Sequence, residues 1–412
     1  MATLIASTSV LPPYSPSPAV PPYSPEPAQD EQRVEHTPRT RSHPTGNFIT
    51  KSGRDAVVLT EQNSTAEFPT YGRHASINGF VTLDDRETVS EIVLKVKGKM
   101  DVMIAEGGSV TTRLVNDSYT LWSSQKSHTS VCPSAVPFSV VLPSTFQDEN
   151  RVSHKLPPSY EIPFTTVPGL FFKSSYTLSV TITRIRNRKF HFLSKNKTIT
   201  VRFIYSPRMR PWRPIQHPSD FFSDVKTMPE EWKQVITEMK PRSGSPVQPV
   251  DIHLFLPMVE IFGLEDTIPF HVQLSGPVAS LREFLPEPRD AASPQNSTIV
   301  VSLVRQIVVD LNGRCAVRNT VIGHAKLASR PPGAAVGAHE ATLDWDGEVR
   351  CKAGTAVGMF DAGGFRLQDF LLIEVRPPNT RTSQFPALRH SHPIKLVTDS
   401  WLDSSASREG SW

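Results

Sequence analysis

The chain has 412 residues, 38 of them proline, with 44 Lys+Arg against 40 Asp+Glu and a formal net charge of +4. The proline load argues against a mostly helical protein, because an interior proline costs a helix about 3 kcal/mol. The near balance of charge argues against wholesale nucleic-acid binding, which shows as a strongly basic face or domain. Ten of the prolines fall in residues 1–50, which read as a disordered Pro/Ser-rich head. Met1 to Val10 has no basic stretch and runs into Pro12 and Pro13, so a secretory leader is not expected. No apolar run reaches the length of a membrane-spanning helix. Cys132, Cys315 and Cys351 are far apart and odd in number, which fits neither a disulfide framework nor a zinc site. The sequons at Asn63, Asn116, Asn196 and Asn296 carry meaning only in a secreted chain.

Past the head, strand-like alternation dominates. Ile92, Leu94 and Val96 alternate with Glu91, Lys95 and Lys97. Phe138, Val140 and Leu142 form a second apolar face. Leu178, Val180 and Ile182 alternate with threonines and serine, and Ile199, Val201, Phe203 and Tyr205 form the next face. The pattern predicts a first β-domain over residues 51–205. Residues 206–250 then read as a proline-bearing linker. Within it the stripe of Trp232, Val235, Ile236 and Met239, behind Thr227, Pro229, Glu230 and Glu231, predicts a short helix near 228–239. Alternation resumes at Ile252 to Leu256, Ile268 to Leu274, Val301 to Val309, Leu371 to Val375, and Ile394 with Leu396. This gives a second β-domain over 251–402 and a short tail over 403–412. Short strands with one apolar face and frequent Pro, Gly, Asn and Asp breaks predict an all-β protein of two immunoglobulin-like antiparallel β-sandwich domains.

Several runs, taken together and in order, resemble an arrestin. Tyr71-Gly-Arg-His-Ala-Ser-Ile77-Asn-Gly79-Phe-Val81, Glu91-Ile-Val-Leu-Lys-Val-Lys-Gly98, Phe138 to Pro143, Leu156 to Glu161 and Tyr176 to Ile182 are similar to an arrestin N-domain. Leu256 to Phe262, Ile268 to Gly276 and Pro393 to Asp399 are similar to an arrestin C-domain. Over roughly residues 55–400 the chain resembles a fungal arrestin-like protein of the α-arrestin type. The resemblance implies a cytosolic, non-enzymatic adaptor, peripheral at the plasma membrane or endosomes. Such an adaptor brings the WW domains of a HECT-type ubiquitin ligase to the cytoplasmic tails of membrane transporters or receptors, for ubiquitination and endocytosis. Arrestin-fold scaffolds of ambient-pH signalling or retromer-like sorting share the fold without binding a ligase. A secreted β-sandwich protein and a hydrolase on a β-sandwich scaffold are readings of other classes.

Three groups of residues carry candidate chemistry. A WW domain reads a polyproline II segment with one tyrosine. Leu11-Pro12-Pro13-Tyr14 and Val20-Pro21-Pro22-Tyr23 present such segments in the head, and Pro157-Pro158-Ser159-Tyr160 matches PPxY in the body. The last reads first as a strand-entry segment of the sandwich and only second as a docking site. Ser42, three residues after Arg39 and two before Pro44, fits a phosphorylation switch read by a 14-3-3 protein. Arg184, Arg186, Arg188, Lys189, Lys195 and Lys197 lie between two strands and form a candidate contact for anionic lipid or phosphate, against the reading of a solvated hairpin tip. No catalytic motif of the nucleophile-elbow, P-loop, metalloprotease or dinucleotide kind occurs, and His390 and His392 lack ligands at useful spacing. No cofactor is expected.

Overall fold

Alternation with period two sends every second side chain to one face, so two such sheets bury their apolar faces against each other. The computed structural model is built on this rule twice. It describes residues 44–126, 131–163, 169–185, 194–217, 220–285, 298–331 and 339–401.

The first half contains β1 (Gly46–Ser52), β2 (Asp55–Gln62), β3 (Thr70–Tyr71), β4 (Ser76–Thr82), β5 (Val89–Ile104), β6 (Gly108–Ser123), β7 (Ala135–Val141), β8 (Thr145–Gln147), β9 (Ser153–Lys155), β10 (Tyr160–Ile162), β11 (Leu170–Ile185) and β12 (Ser194–Tyr205). One layer has the order β1-β2-β4-β7. The other runs β3-β12-β11-β5-β6, with β10 added to β11. All neighbours are antiparallel except β3, which lies parallel to β12. Ile92, Leu94 and Val96 of β5, and Leu178, Val180 and Ile182 of β11, are fully buried between the layers. Gly98 is required where the Tyr176 ring crosses β5, since a Cβ there would stand 2.8 Å from the ring.

The second half contains β13 (Trp232–Met239), β14 (Val250–Pro257), β15 (Ile261–Gly263), β16 (Thr267–Pro277), β17 (Ile299–Leu311), β18 (Arg314–Ser329), β19 (Glu340–Arg350), β20 (Phe360–Asp361), β21 (Phe365–Val375) and β22 (Leu388–Val397). Its strands run β13-β14-β16-β19-β18-β17-β21-β22-β15, with β20 added to β21. Cut between β19 and β18, this order repeats the first half strand for strand. β13-β14-β16-β19 answers β1-β2-β4-β7, and β15-β22-β21-β17-β18 answers β3-β12-β11-β5-β6. The short parallel edge pair recurs as well, with β15 against β22. The fold is therefore all-β and made of two sandwiches of one topology.

The two sandwiches belong to one compact unit, Pro44–Trp412. Ile307, Val309 and Leu311 of β17, with Phe365 and Leu367 of β21, join the first sandwich's core instead of the second's. Phe172 stacks on Phe365 with ring centroids 3.7 Å apart, and Tyr160 meets Phe360 edge-on at 5.9 Å. Burying one such ring contributes about 1.5–3 kcal/mol, so this aromatic weld makes the halves one packed body.

The linker differs from its sequence-based expectation. Residues 232–239 form the strand β13, not a helix, and pair with β14 along their whole length, from Trp232 opposite Pro257 to Met239 opposite Val250. The apolar stripe has helical spacing and does not alternate: on the strand, Trp232 and Ile236 have one parity and Val235 and Met239 the other. Trp232 and Met239 are buried, whereas Ile236 is 59 % exposed. A full ladder with β14, and the strand preference of Trp, Val, Ile and Thr, outweighed a helix of three turns. Pro229 instead sits in a 3₁₀ turn, Pro229–Glu231. The helix of this stretch is α1 (Phe221–Thr227), where the Asp220 carboxylate accepts from Ser223 N at 3.2 Å. At the other end, β1 starts at Gly46, inside the stretch assigned to the head.

Candidate functional site

A cleft opens along the seam of the sandwiches and encloses about 520 Å³. Its first wall is the segment Leu156, Pro157 and Pro158, which leads from β9 to β10. Its second is the turn and strand around Met359 and Phe360. The third is the chain leaving β12, which is tied to the end of β22. There Arg208 Nη2 donates to Asp399 Oδ1 at 2.7 Å, and Met209 N donates to Thr398 Oγ1 at 2.8 Å. Floor and walls are mainly apolar, with Leu156, Val357, Leu396 and Val397 buried. The rim is cationic. Arg73, Lys155, Arg366 and Lys395 line the cleft, and none of them forms an ion pair among the described residues. His154 is already engaged, its Nε2 lying 3.0 Å from Asp148 Oδ2. Asp361 is the one carboxylate among the lining side chains. An apolar floor with a cationic rim suits an acidic ligand that also carries apolar groups.

Below the cleft lies a buried ion pair. Arg305 of β17 donates to both oxygens of Asp369 on β21, at 2.7 and 3.0 Å, and through Nη1 to Val357 O at 2.9 Å. The two residues are 4 % and 1 % exposed. Burial disfavours the Arg305 charge, but the carboxylate against it wins and holds its pKa above the ordinary guanidinium value. Burial also pushes the Tyr160 phenol up, with Arg305 opposing. The pair thus ties two strands of the second sandwich below a tyrosine of the first.

The predicted PPxY segment is part of this seam. Pro157 O accepts from Tyr176 Oη at 2.6 Å, and Pro158 O accepts from Ser174 Oγ. Ser159 N donates to Tyr205 O at 2.8 Å, and Ser159 Oγ accepts from Tyr205 N at 2.9 Å. Both prolines are buried. The Tyr160 ring packs against Phe172 and Phe360. A WW domain needs the proline faces and the tyrosine ring exposed. In the folded sandwich Pro157, Pro158 and Tyr160 are committed to packing, so the strand-entry reading describes them and the docking reading does not. Leu11, Pro12, Tyr14, Pro21, Tyr23 and Ser42 lie outside the described residues.

The basic hairpin divides in the same way. Arg184 and Lys197 are on the same side of their strands as Ile182, so they point inward and cap the core. Arg184 Nη2 donates to Asp55 Oδ1 at 2.8 Å, and Lys197 Nζ to Asp55 Oδ2 at 2.7 Å. Burial pushes the Asp55 carboxyl up, and the Arg184 and Lys197 hydrogen bonds more than reverse it, so its pKa lies below the usual carboxylate value. These two cations are neutralised within the fold and not offered to an external anion. Lys195 is exposed at the strand end, and Arg186, Arg188 and Lys189 lie outside the described residues. On the opposite face of the sheet, Lys95 and Lys97, which the alternation already marks as outward, are followed at strand period by Lys99 on the outside of β5. Their spacing was visible, but its meaning depended on knowing that β5 is an interior strand.

Among the described residues, no group of three or more His, Cys, Asp and Glu side chains is arranged to hold a metal ion. His392 Nε2 lies 2.5 Å from Glu260 Oε1, whose carboxylate also accepts from Lys233 Nζ at 2.8 Å, and His390 Nδ1 lies 3.2 Å from Thr237 Oγ1. The three cysteines are free, and burial pushes the thiols of Cys132 and Cys351 up to about 11, so neither is a ready nucleophile. No helix among the described residues is long and apolar enough to cross a membrane. No family model matches the chain, and no curated protein matches it.

Proposed function

We propose that the protein is a non-enzymatic, arrestin-like adaptor that holds a segment of membrane cargo and brings a HECT-type ubiquitin ligase to it. The observation that carries the reading is the repetition of one sandwich topology, down to the short parallel edge pair, in two halves that share an aromatic seam. An arrangement of this kind offers extended surfaces and a cleft. The cleft's apolar floor and its rim of Arg73, Lys155, Arg366 and Lys395 suit an acidic cytoplasmic segment of a transporter or receptor. Ligase docking is assigned to the head, through Leu11-Pro12-Pro13-Tyr14 and the repeat at Pro21 and Tyr23. Polyproline segments of this kind suit WW grooves because the extended helix is already formed.

Affinity capture of the full chain with crosslinking mass spectrometry tests the proposal. Tyr14→Ala is expected to lose the ligase and keep the cargo. Arg366→Glu with Lys395→Glu is expected to do the reverse. A wild-type chain that captures neither would overturn the adaptor reading. A second reading, a signalling or sorting scaffold of the same fold without a ligase, is favoured by one observation: the only literal PPxY is packed into the sandwich. A peptide of residues 6–28 that shows no binding to a HECT-ligase WW domain in titration would select it.

A further inference from the structure

The outer face of the sheet β3-β12-β11-β5-β6 is an ordered lattice of cations and hydroxyls. Because Leu94 and Val96 point into the core, Lys95, Lys97 and Lys99 point out. Register then fixes their neighbours. Lys95 lies between Ser118 of β6 and Ser179 of β11, and Lys97 between Asn116 and Thr177. Thr177 is in turn opposite Arg202 of β12, and Lys99 is opposite Arg113 of β6 and Ser175 of β11. Strands are about 4.8 Å apart and alternate residues about 6.8 Å. Lys95, Lys97, Arg113 and Arg202 therefore fall within a patch roughly 15 Å across. All four are exposed, and none forms an ion pair among the described residues. Lys99 is held by Asp101 at 2.8 Å.

The acids of this sheet do not neutralise the patch, and Glu161 of β10 is held by Lys173 at 2.6 Å. Asp101 is taken up by Lys99 and by Thr111 Oγ1 at 2.8 Å. Glu91 lies at the far end, opposite Thr183. Asp117 is opposite Val96 and so belongs to the other face. Lysines on sheets commonly protect an edge strand from pairing with another chain. That explanation fails for Lys95 and Lys97, because β5 is paired on both sides, with β11 and with β6. For the same reason a peptide cannot add to it through main-chain hydrogen bonds. The partner must be engaged by side chains alone, across a shallow face, and must be anionic.

We propose that this face docks the protein on an anionic phospholipid surface, with Lys95, Lys97, Arg113 and Arg202 set against the headgroups and the surrounding Ser and Thr hydroxyls donating to phosphate oxygens. Neighbouring cations of the patch stand about one Debye length apart at physiological salt, and a headgroup surface laid against the face meets each of them directly. The face does not depend on the adaptor reading: vesicle binding by a chain that captured no ligase or cargo would leave it intact.

The test is co-sedimentation of the full chain with vesicles of phosphatidylserine and phosphatidylcholine in equal parts, and with vesicles of phosphatidylcholine alone. The wild type is expected to bind only the former, and to be released as salt is raised. Removing one cation is expected to lower binding about fivefold. The variant Lys95→Gln/Lys97→Gln then loses roughly 25-fold, and the reversal Lys95→Glu/Lys97→Glu/Arg202→Glu at least about 100-fold. All three side chains are outside the core, so the thermal transition of each variant is expected to match the wild type, and the milder glutamine variant keeps the test valid if the reversal disturbs folding. Three results would overturn the proposal: wild-type protein that ignores anionic vesicles, a folded reversal variant that still binds them, or wild type that binds a polyglutamate peptide and not vesicles.

Discussion

The two sandwiches have the same strand order but close differently. In the first, β6 and β7 are not paired among the described residues, and the two layers remain separate sheets. In the second, β18 passes from one layer to the other. It pairs with β17 as far as His324 opposite Ser302, then with β19 from Ala325 opposite Val349. Gly323 stands at the corner, where a Cβ would be 2.3 Å from Arg350 O. One glycine thus lets a strand turn the corner and join both layers into a single curled sheet. Strand order is duplicated as a whole, whereas closure is a local property of one strand. The halves also handle buried charge in two ways. Asp55 anchors two partly exposed cations at the rim of the first sandwich, and Arg305 and Asp369 are sealed within the second.

Substitutions can probe each of these contrasts. The largest effect is expected at the sealed pair. Arg305→Met leaves Asp369 buried without its partner and should destabilise by about 3–5 kcal/mol, most of it recovered in Arg305→Met/Asp369→Leu. Denaturant unfolding of both variants checks this, and a single transition would confirm that the seam couples the halves. At the rim, Asp55→Ala should cost about 1–3 kcal/mol, since it leaves Arg184 and Lys197 without their acceptor. Its pH dependence follows from the sign. The Asp55 pKa is lowered in the fold, so its contribution is fully present above the ordinary carboxylate pKa of about 4 and is lost as pH falls through the lower folded value. Acid unfolding of Asp55→Ala should therefore be less steep than that of the wild type.

Closure of the second sheet is tested by Gly323→Ala, which should destabilise by about 1–3 kcal/mol because the methyl group meets backbone. An unchanged melting temperature would mean that β18 turns without help from the glycine. The smallest effect is expected at Ile236→Lys. As an outward residue of β13 it should shift stability by no more than about 0.5 kcal/mol. A loss of about 2 kcal/mol or more would return the segment to a buried apolar stripe.

Strands with one clean apolar face were legible in the amino-acid order alone. The alternation at Ile92 to Val96, Leu178 to Ile182, Ile268 to Leu274 and Leu371 to Val375 lies inside β5, β11, β16 and β21. Strands that face water on both sides for much of their length, such as β6 and β18, gave no such signal, because their ladders and not their side chains hold them in place. The segment 232–239 failed for a different reason: its four apolar residues stand at helical spacing and divide between the two parities of a strand, and only the ladder with β14 decided against the helix. Within the cleft the proline segment was visible, but Arg73, Lys155, Arg366 and Lys395 are far apart in sequence and share a rim only through the seam.

The sequence by itself determined the all-β class, the sandwich character of both halves and the inward parity of most core residues, because these follow from side-chain alternation along a single strand. Only the tertiary structure decided which charges are available to a partner. Arg184 and Lys197 were the conspicuous cations of the sequence, yet parity turns them onto Asp55. Lys95 and Lys97 were ordinary outward residues, yet register sets them beside Arg202 and Arg113, with no ion pair to either among the described residues. Charge on a sheet is a matter of neighbours across strands, and those neighbours lie from about 15 to about 140 residues away along the chain.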